Sequence, residues 1–121
     1  MSYNADRRTI DFTLYEHLQV QRLFDQERFA HVTREECDAI LDQVHRFASE
    51  VIGPINGAAD RAGCRLENGV VHTPAGFKDA WKKLFELGLI GLSMPPESGG
   101  LGAPNAVAVI VQEFLSGANT A

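Results

Sequence analysis

The last 38 residues, Leu84–Ala121, hold only three charges, Glu86, Glu97 and Glu113, and no basic side chain. Within them the run Ala106-Val107-Ala108-Val109-Ile110-Val111 is apolar on every side. A helix that is apolar all round wants protein on all sides, and a large exposed apolar patch marks a contact surface. The chain is therefore expected to be a fragment of a larger molecule, a proteolytic product or one partner of a tight complex. The same stretch bears on fold class. Periodicity alone does not separate a buried helix from a buried strand here. The length of the run and its start at Pro104 favour a helix, while the valines count against one.

The rest of the chain is ordinary for a globular protein. Its 121 residues suit one domain, and 45% apolar with 22% charged residues argues against wholesale disorder. A net charge of −5 speaks against a nucleic-acid or anionic-membrane partner, either of which would want a basic patch. No apolar run approaches the roughly 20 residues that span a bilayer. Met1–Arg8 leads into Asp11 and Glu16 without the apolar core of a secretory signal. Cys37 and Cys64 have no CxxC context and read as free thiols of a reducing, cytoplasmic compartment.

Helical spacing organises most of the sequence. Asp6–Ala30 places Ile10, Leu14, Leu18, Leu23 and Phe24 near one face, which predicts one or two short amphipathic helices with Asp6 as a possible cap. Thr33 with Glu36 three residues on is a capping box. It opens a helix whose stripe runs through Ile40, Leu41, Val44, Phe47, Ala48 and Val51. Gly53-Pro54 should end or kink that helix, with Ala58–Ala62 continuing it. Asn68-Gly69 between Arg65-Leu66-Glu67 and Val70-Val71-His72 predicts a small hairpin. Thr73-Pro74 starts a further helix, with Phe77, Ala80, Trp81, Leu84, Phe85 and Leu87 expected to be buried. The Gly- and Pro-rich stretch from Leu89 to Pro104 reads as a series of turns.

Self-contained chemistry is not evident. His17, His31, His45 and His72 are scattered without metal-ligand spacing and read as surface or structural residues. Gly99-Gly100-Leu101-Gly102 lacks both GxGxxG and a following Lys-Ser/Thr pair, so it reads as a tight turn and not a phosphate loop. No serine has a GxSxG context. Glu113 is either a surface carboxylate at a wet edge of its helix or the lining of a ligand cavity that other segments complete.

One set of motifs is more specific. Phe77-Lys-Asp-Ala-Trp81 is followed by Glu86-Leu-Gly-Leu-Ile-Gly91 and Met94-Pro-Pro-Glu-Ser-Gly-Gly-Leu-Gly102, then by Gln112-Glu113 and Gly117-Ala118-Asn119. This order resembles the N-terminal helical domain of the acyl-CoA dehydrogenase family. Thr33–Asp60 resembles that family's first long helix. Tyr3–Arg28 and the hairpin resemble features of its long bacterial subgroup. The resemblance implies an all-α fold with a small hairpin excursion near residues 65–72. It implies a helical leader at 1–30, followed by the dehydrogenase N-terminal α-domain at 31–121.

The resemblance implies an FAD-dependent oxidoreductase of fatty acid metabolism, a flavoprotein that converts an acyl-CoA thioester to the trans-2-enoyl-CoA. Electrons would usually pass to electron-transfer flavoprotein, and the full enzyme would be a homo-oligomer. The family's catalytic base and most flavin contacts come from middle and C-terminal domains. The resemblance therefore assigns no catalytic residue here, and this chain alone is expected to be inactive and to bind no flavin. Its part would be to wall the acyl-chain pocket through Gln112, Glu113, Ser116 and Gly117. Pro96 and Ala103-Pro104 depart slightly from the commonest form of the family's loop. The rival readings are a non-catalytic helical interaction module, using the Leu84–Ala121 surface, and part of an FAD-dependent acyl-CoA oxidase.

Overall fold

A computed structural model describes residues 3–121. Five α-helices and one hairpin follow in chain order: α1 (Arg7–Asp11), α2 (Arg34–Phe47), α3 (Gly53–Ala62), β1 (Arg65–Glu67), β2 (Val70–His72), α4 (Phe77–Glu86) and α5 (Asn105–Ala118).

The centre of the molecule is the contact of α2 with α5. Thr33 and Glu36 form the expected capping box, with Glu36 N–H donating to Thr33 Oγ1 at 3.1 Å and Thr33 N–H donating to Glu36 Oε2 at 2.8 Å. From this start α2 buries Cys37, Leu41, Val44 and Phe47. Against them α5 sets Val107, Val111, Phe114 and Ala118, one residue per helical turn. Pro104 is itself fully buried at the entry to α5, where its missing N–H costs no intrahelical bond. The charge-poor run is therefore a helix, and its valines divide between core and surface, with Val109 62% exposed.

Gly53-Pro54 does not end the long helix. Ala48–Ile52 forms a π-helical turn in which Gly53 N–H donates to the Ala48 carbonyl, and α3 follows directly. The one-residue shift in register lets the chain absorb a proline that would clash with an unbroken α ladder.

The leader is less regular than its spacing predicts. Asp6 caps α1 through Arg8 and Thr9 N–H, α1 runs into a π-helical turn at Phe12–His17, and 3-10 turns follow at Val20–Leu23 and Glu27–Phe29. Gln19, at φ 53°, lies in the left-handed region, which stops any continuous helix there. Ile10, Leu14, Tyr15, Val20 and Val32 nonetheless join the α2–α5 core. Tyr15 donates to Asp38 Oδ1 at 2.7 Å, and the Arg34 guanidinium lies 4.0 Å over the Tyr15 ring. Arg7 pairs with Asp11 at 2.8 Å and with Asp42, fixing the leader to α2 by charge as well as by burial.

The hairpin forms where Asn68-Gly69 predicts it, with Leu66 opposite Val71. The expected burial of α4 needs correction. Only Ala80 is buried; Phe77, Leu84 and Leu87 are half-buried, and Trp81 and Phe85 stand 59% and 55% exposed. The two rings pack edge-on, 5.2 Å apart, on the outer surface. Spacing sets which side chains share a face, but it does not supply the partner that covers it.

The turns between α4 and α5 close on themselves. Gly100 N–H donates to the Pro95 carbonyl at 3.2 Å, Gly102 N–H to Met94 at 2.8 Å and Ala103 N–H to Leu92 at 2.9 Å. His31 Nε2–H donates to the Leu101 carbonyl at 2.8 Å, so this histidine is structural. Any Cβ at Gly100 would lie 2.1 Å from the Met94 oxygen, whereas Gly99 needs glycine only for its φ of 83°.

Two outcomes follow from this architecture. Gly100→Ala should destabilise the fold by about 3 kcal/mol or more through backbone collision, and Gly99→Ala by about 1–2 kcal/mol through the left-handed φ alone. Chemical denaturation of the two variants checks the order. The second concerns pH. Burial, then hydrogen bonding to Cys37 and Asp38, raises the Tyr15 phenol above its ordinary value near 10. Burial and the Glu113 charge likewise raise Tyr3. A phenol raised in the folded state holds its full contribution below the unfolded value, which is lost as pH rises through the folded one. The thermal midpoint should therefore fall above pH 10, and Tyr15→Phe should flatten that fall.

Candidate functional site

An open cleft of about 570 Å³ lies between the α2–α3 junction, α4 and the last turn of α5. Its apolar walls include Ile52 and Ile55 from the junction, Phe77, Trp81 and Leu84 from α4, and Leu115 from α5. The π-helical turn positions Ile52, because the shifted register there turns that residue toward α5. The α5 wall is a stripe at positions 112, 115, 116 and 119, the spacing of one helix face.

The polar groups of that stripe are partnered with one another or with backbone. Gln112 Nε2 donates to Ser116 Oγ at 3.0 Å across one turn. Asn119 Nδ2 donates to the Ile52 carbonyl at 2.8 Å, tying the end of α5 to the α2–α3 junction. Among the described residues the lining carries no carboxylate, imidazole or thiol, and Lys78 is its one charged side chain. Such a cleft can hold an apolar group and exclude water from it, but it offers no acid–base pair for a reaction.

A smaller hollow of about 310 Å³ continues along the same two helices toward Leu89–Ser93 and shares Trp81, Leu84, Gln112 and Leu115 with the cleft. Trp81 therefore stands between two parts of one apolar furrow. A third hollow, of about 510 Å³, meets the main cleft at Phe47 and is rimmed by Asp42, Glu50 and Glu86 with Arg46 and Lys83.

The four α5 residues singled out from the sequence do not share one face. Gln112 and Ser116 line the cleft. Glu113 and Gly117 lie about 100° further round the helix, on the flank where Tyr3 packs. Glu113 is exposed to solvent there. Sequence reasoning missed Ile52, Ile55, Asn119 and Tyr3. The spacing 112, 115, 116, 119 could have found Asn119. The other three arrive through long-range packing and leave no local signal.

The described residues do not build a site for a flavin dinucleotide. A pyrophosphate wants converging backbone N–H groups or cations. The main cleft offers Lys78 as its one cation, and in the third hollow Arg46 and Lys83 stand among three carboxylates, Asp42, Glu50 and Glu86.

Comparison with known proteins now bears on what holds such a cleft. Residues 34–121 match the family model described as acyl-CoA dehydrogenase, N-terminal domain. A 3-methylmercaptopropionyl-CoA dehydrogenase of Ruegeria pomeroyi is 35% identical over 123 residues, covering 98% of this chain and 20% of that protein. A butyryl-CoA dehydrogenase of Syntrophomonas wolfei is 30% identical over 92 residues, covering 73% of this chain and 15% of that protein. The chain thus spans a fifth or less of the length of these relatives. On the extent of the family match and the near-complete coverage by a dehydrogenase relative, this chain belongs to the acyl-CoA dehydrogenase family.

Proposed function

We propose that this chain serves as the N-terminal part of an FAD-dependent acyl-CoA dehydrogenase, an enzyme of α,β-dehydrogenation acting on an acyl-CoA thioester. Within it the chain walls the acyl-chain pocket. The observation that carries this reading is the cleft itself: walls that are mostly apolar, with the Gln112 and Ser116 side chains joined by a hydrogen bond across one helical turn. The names of the two relatives, a butyryl-CoA and a 3-methylmercaptopropionyl-CoA dehydrogenase, support short or medium acyl groups as the substrate class. Because the cleft lacks an acid–base pair, its contribution is binding, orientation and exclusion of water. FAD and the catalytic base belong, on this reading, to other parts of the protein. Electron-transfer flavoprotein is the acceptor that the family resemblance implies.

The alternative reading, a non-catalytic interaction module, draws on the exposed Trp81–Phe85 pair, since aromatic residues concentrate at protein contacts. A lack of bound flavin and of dehydrogenase activity in the protein as its gene encodes it would favour that module.

The test of the pocket reading uses the same full-length protein and a series of saturated acyl-CoAs. Ser116→Phe puts a ring into the cleft. It should raise KM for the longer substrates roughly ten-fold while kcat on the shortest stays within about two-fold. An unchanged chain-length profile would overturn the assignment of this cleft to the acyl group.

A further inference from the structure

The leader lies outside the family's module, which begins at residue 34, yet it reaches across the molecule to the far side of the cleft wall. Tyr3 is half-buried between two glycines that belong to different elements. A Cβ on Gly117, in the last turn of α5, would stand 3.0 Å from Tyr3 Cε2 and 3.1 Å from its hydroxyl oxygen. A Cβ on Gly53, at the start of α3, would stand 3.2 Å from Tyr3 Cβ. Each glycine neighbours a cleft residue, Ile52 beside Gly53 and Ser116 beside Gly117. The Asn119–Ile52 hydrogen bond joins the same two segments. The junction of α2 with α3 is thus held to the end of α5 by a hydrogen bond and by the Tyr3 side chain, whose ring lies against Gly117 and whose Cβ lies against Gly53, where an added Cβ would also meet the Ala48 carbonyl oxygen at 2.8 Å.

We propose that Tyr3 is a positioning residue, a peg by which the leader fixes the separation of the two walls and so sets which acyl chains the cleft accepts. The role in selectivity rests on the pocket reading above; the peg itself does not. The ring has a good anchor for this work, because the leader is fastened to α2 through Arg7 and joins the core through Ile10, Leu14 and Tyr15. The relative that shares 98% of this chain includes nearly all of the leader in its match. Loosening the peg would let the α5 end shift against α3, and binding sites lose discrimination when a wall is displaced by fractions of an ångström.

The test is a double-mutant cycle in the protein as its gene encodes it, read by thermal midpoint and by KM and kcat over an acyl-CoA series. Gly117 sits in a helix without a positive φ, so alanine there is favoured by intrinsic propensity and opposed only by the Tyr3 ring. Gly117→Ala should lower the midpoint by roughly 2 °C or more when Tyr3 is present, and leave or raise it in the Tyr3→Ala background. Tyr3→Ala should change the ratio of KM for long over short substrates by roughly three-fold or more, with kcat on the shortest retained. Tyr3→Phe, which fills the same slot, should match the parent in both readouts. If Gly117→Ala shifts the midpoint equally in both backgrounds, the peg is overturned. If the cycle is coupled and Ser116→Phe alters the length profile while Tyr3→Ala does not, the selectivity role is overturned and the pocket reading stands. If Ser116→Phe leaves the profile unchanged, the pocket reading has failed, and a coupled cycle still supports the peg.

Discussion

The packing of α5 on α2 is the interaction on which the other parts depend. Leu41, Val44, Ala48, Val107 and Phe114 are wholly shielded from solvent, and the leader, the turns and the cleft are all placed by reference to them. Each buried Leu, Val or Phe side chain is worth about 1.5–3 kcal/mol relative to exposure. The leader adds Ile10, Leu14, Tyr15 and Val20 to the same core. The capping box then fixes where α2 begins, and the π-helical turn fixes where its lower part points. A helix continued in plain α register through Pro54 would rotate the following residues, Ile55 among them, relative to the rest of the cleft.

Local signals explain what the sequence made legible. Thr33 and Glu36 state their own pairing, Asn68-Gly69 states a turn, and Pro104 states a helix start, because each is satisfied within a few residues of chain. The leader was harder. Its apolar residues suggest helical spacing, but the left-handed Gln19 and two 3-10 turns break it, which spacing alone does not foretell. The same limit applies to the cleft. Gln112 and Ser116 share a helix face that spacing reveals, while Ile52, Ile55 and Tyr3 come from parts of the chain more than fifty residues away. Glu113 shows the converse: it lies in a mostly apolar helix beside the buried Phe114, yet one further step round the helix leaves it in water.

Helix α4 separates two things that amphipathicity is often taken to give together. Its apolar residues do lie on one side, but that side meets the rest of the chain only at Ala80 and partly at Phe77, Leu84 and Leu87. Trp81 and Phe85 project beyond the contact. An amphipathic pattern records the environment in which a helix is stable, and a contiguous exposed aromatic edge therefore indicates a contact surface rather than a defect in the fold. That edge is the surface on which the alternative, non-catalytic reading draws.

The apolar excess of Leu84–Ala121 consequently has three destinations. Val107, Val111, Phe114 and Ala118 build the core, Leu84, Leu115 and Ile90 line the furrow, and Val109 and Leu101 meet solvent. Only the first set could be inferred to be buried from the need to fold. The second is apolar without being required by the core, and two polar side chains beside it, Gln112 and Asn119, each donate a hydrogen bond within the chain. Desolvating the furrow therefore costs little, which is the property a wall for an aliphatic chain needs. Selectivity in such a wall comes chiefly from shape, since most of its lining is apolar. Shape in turn depends on how firmly the α2–α3 junction and the end of α5 are held together.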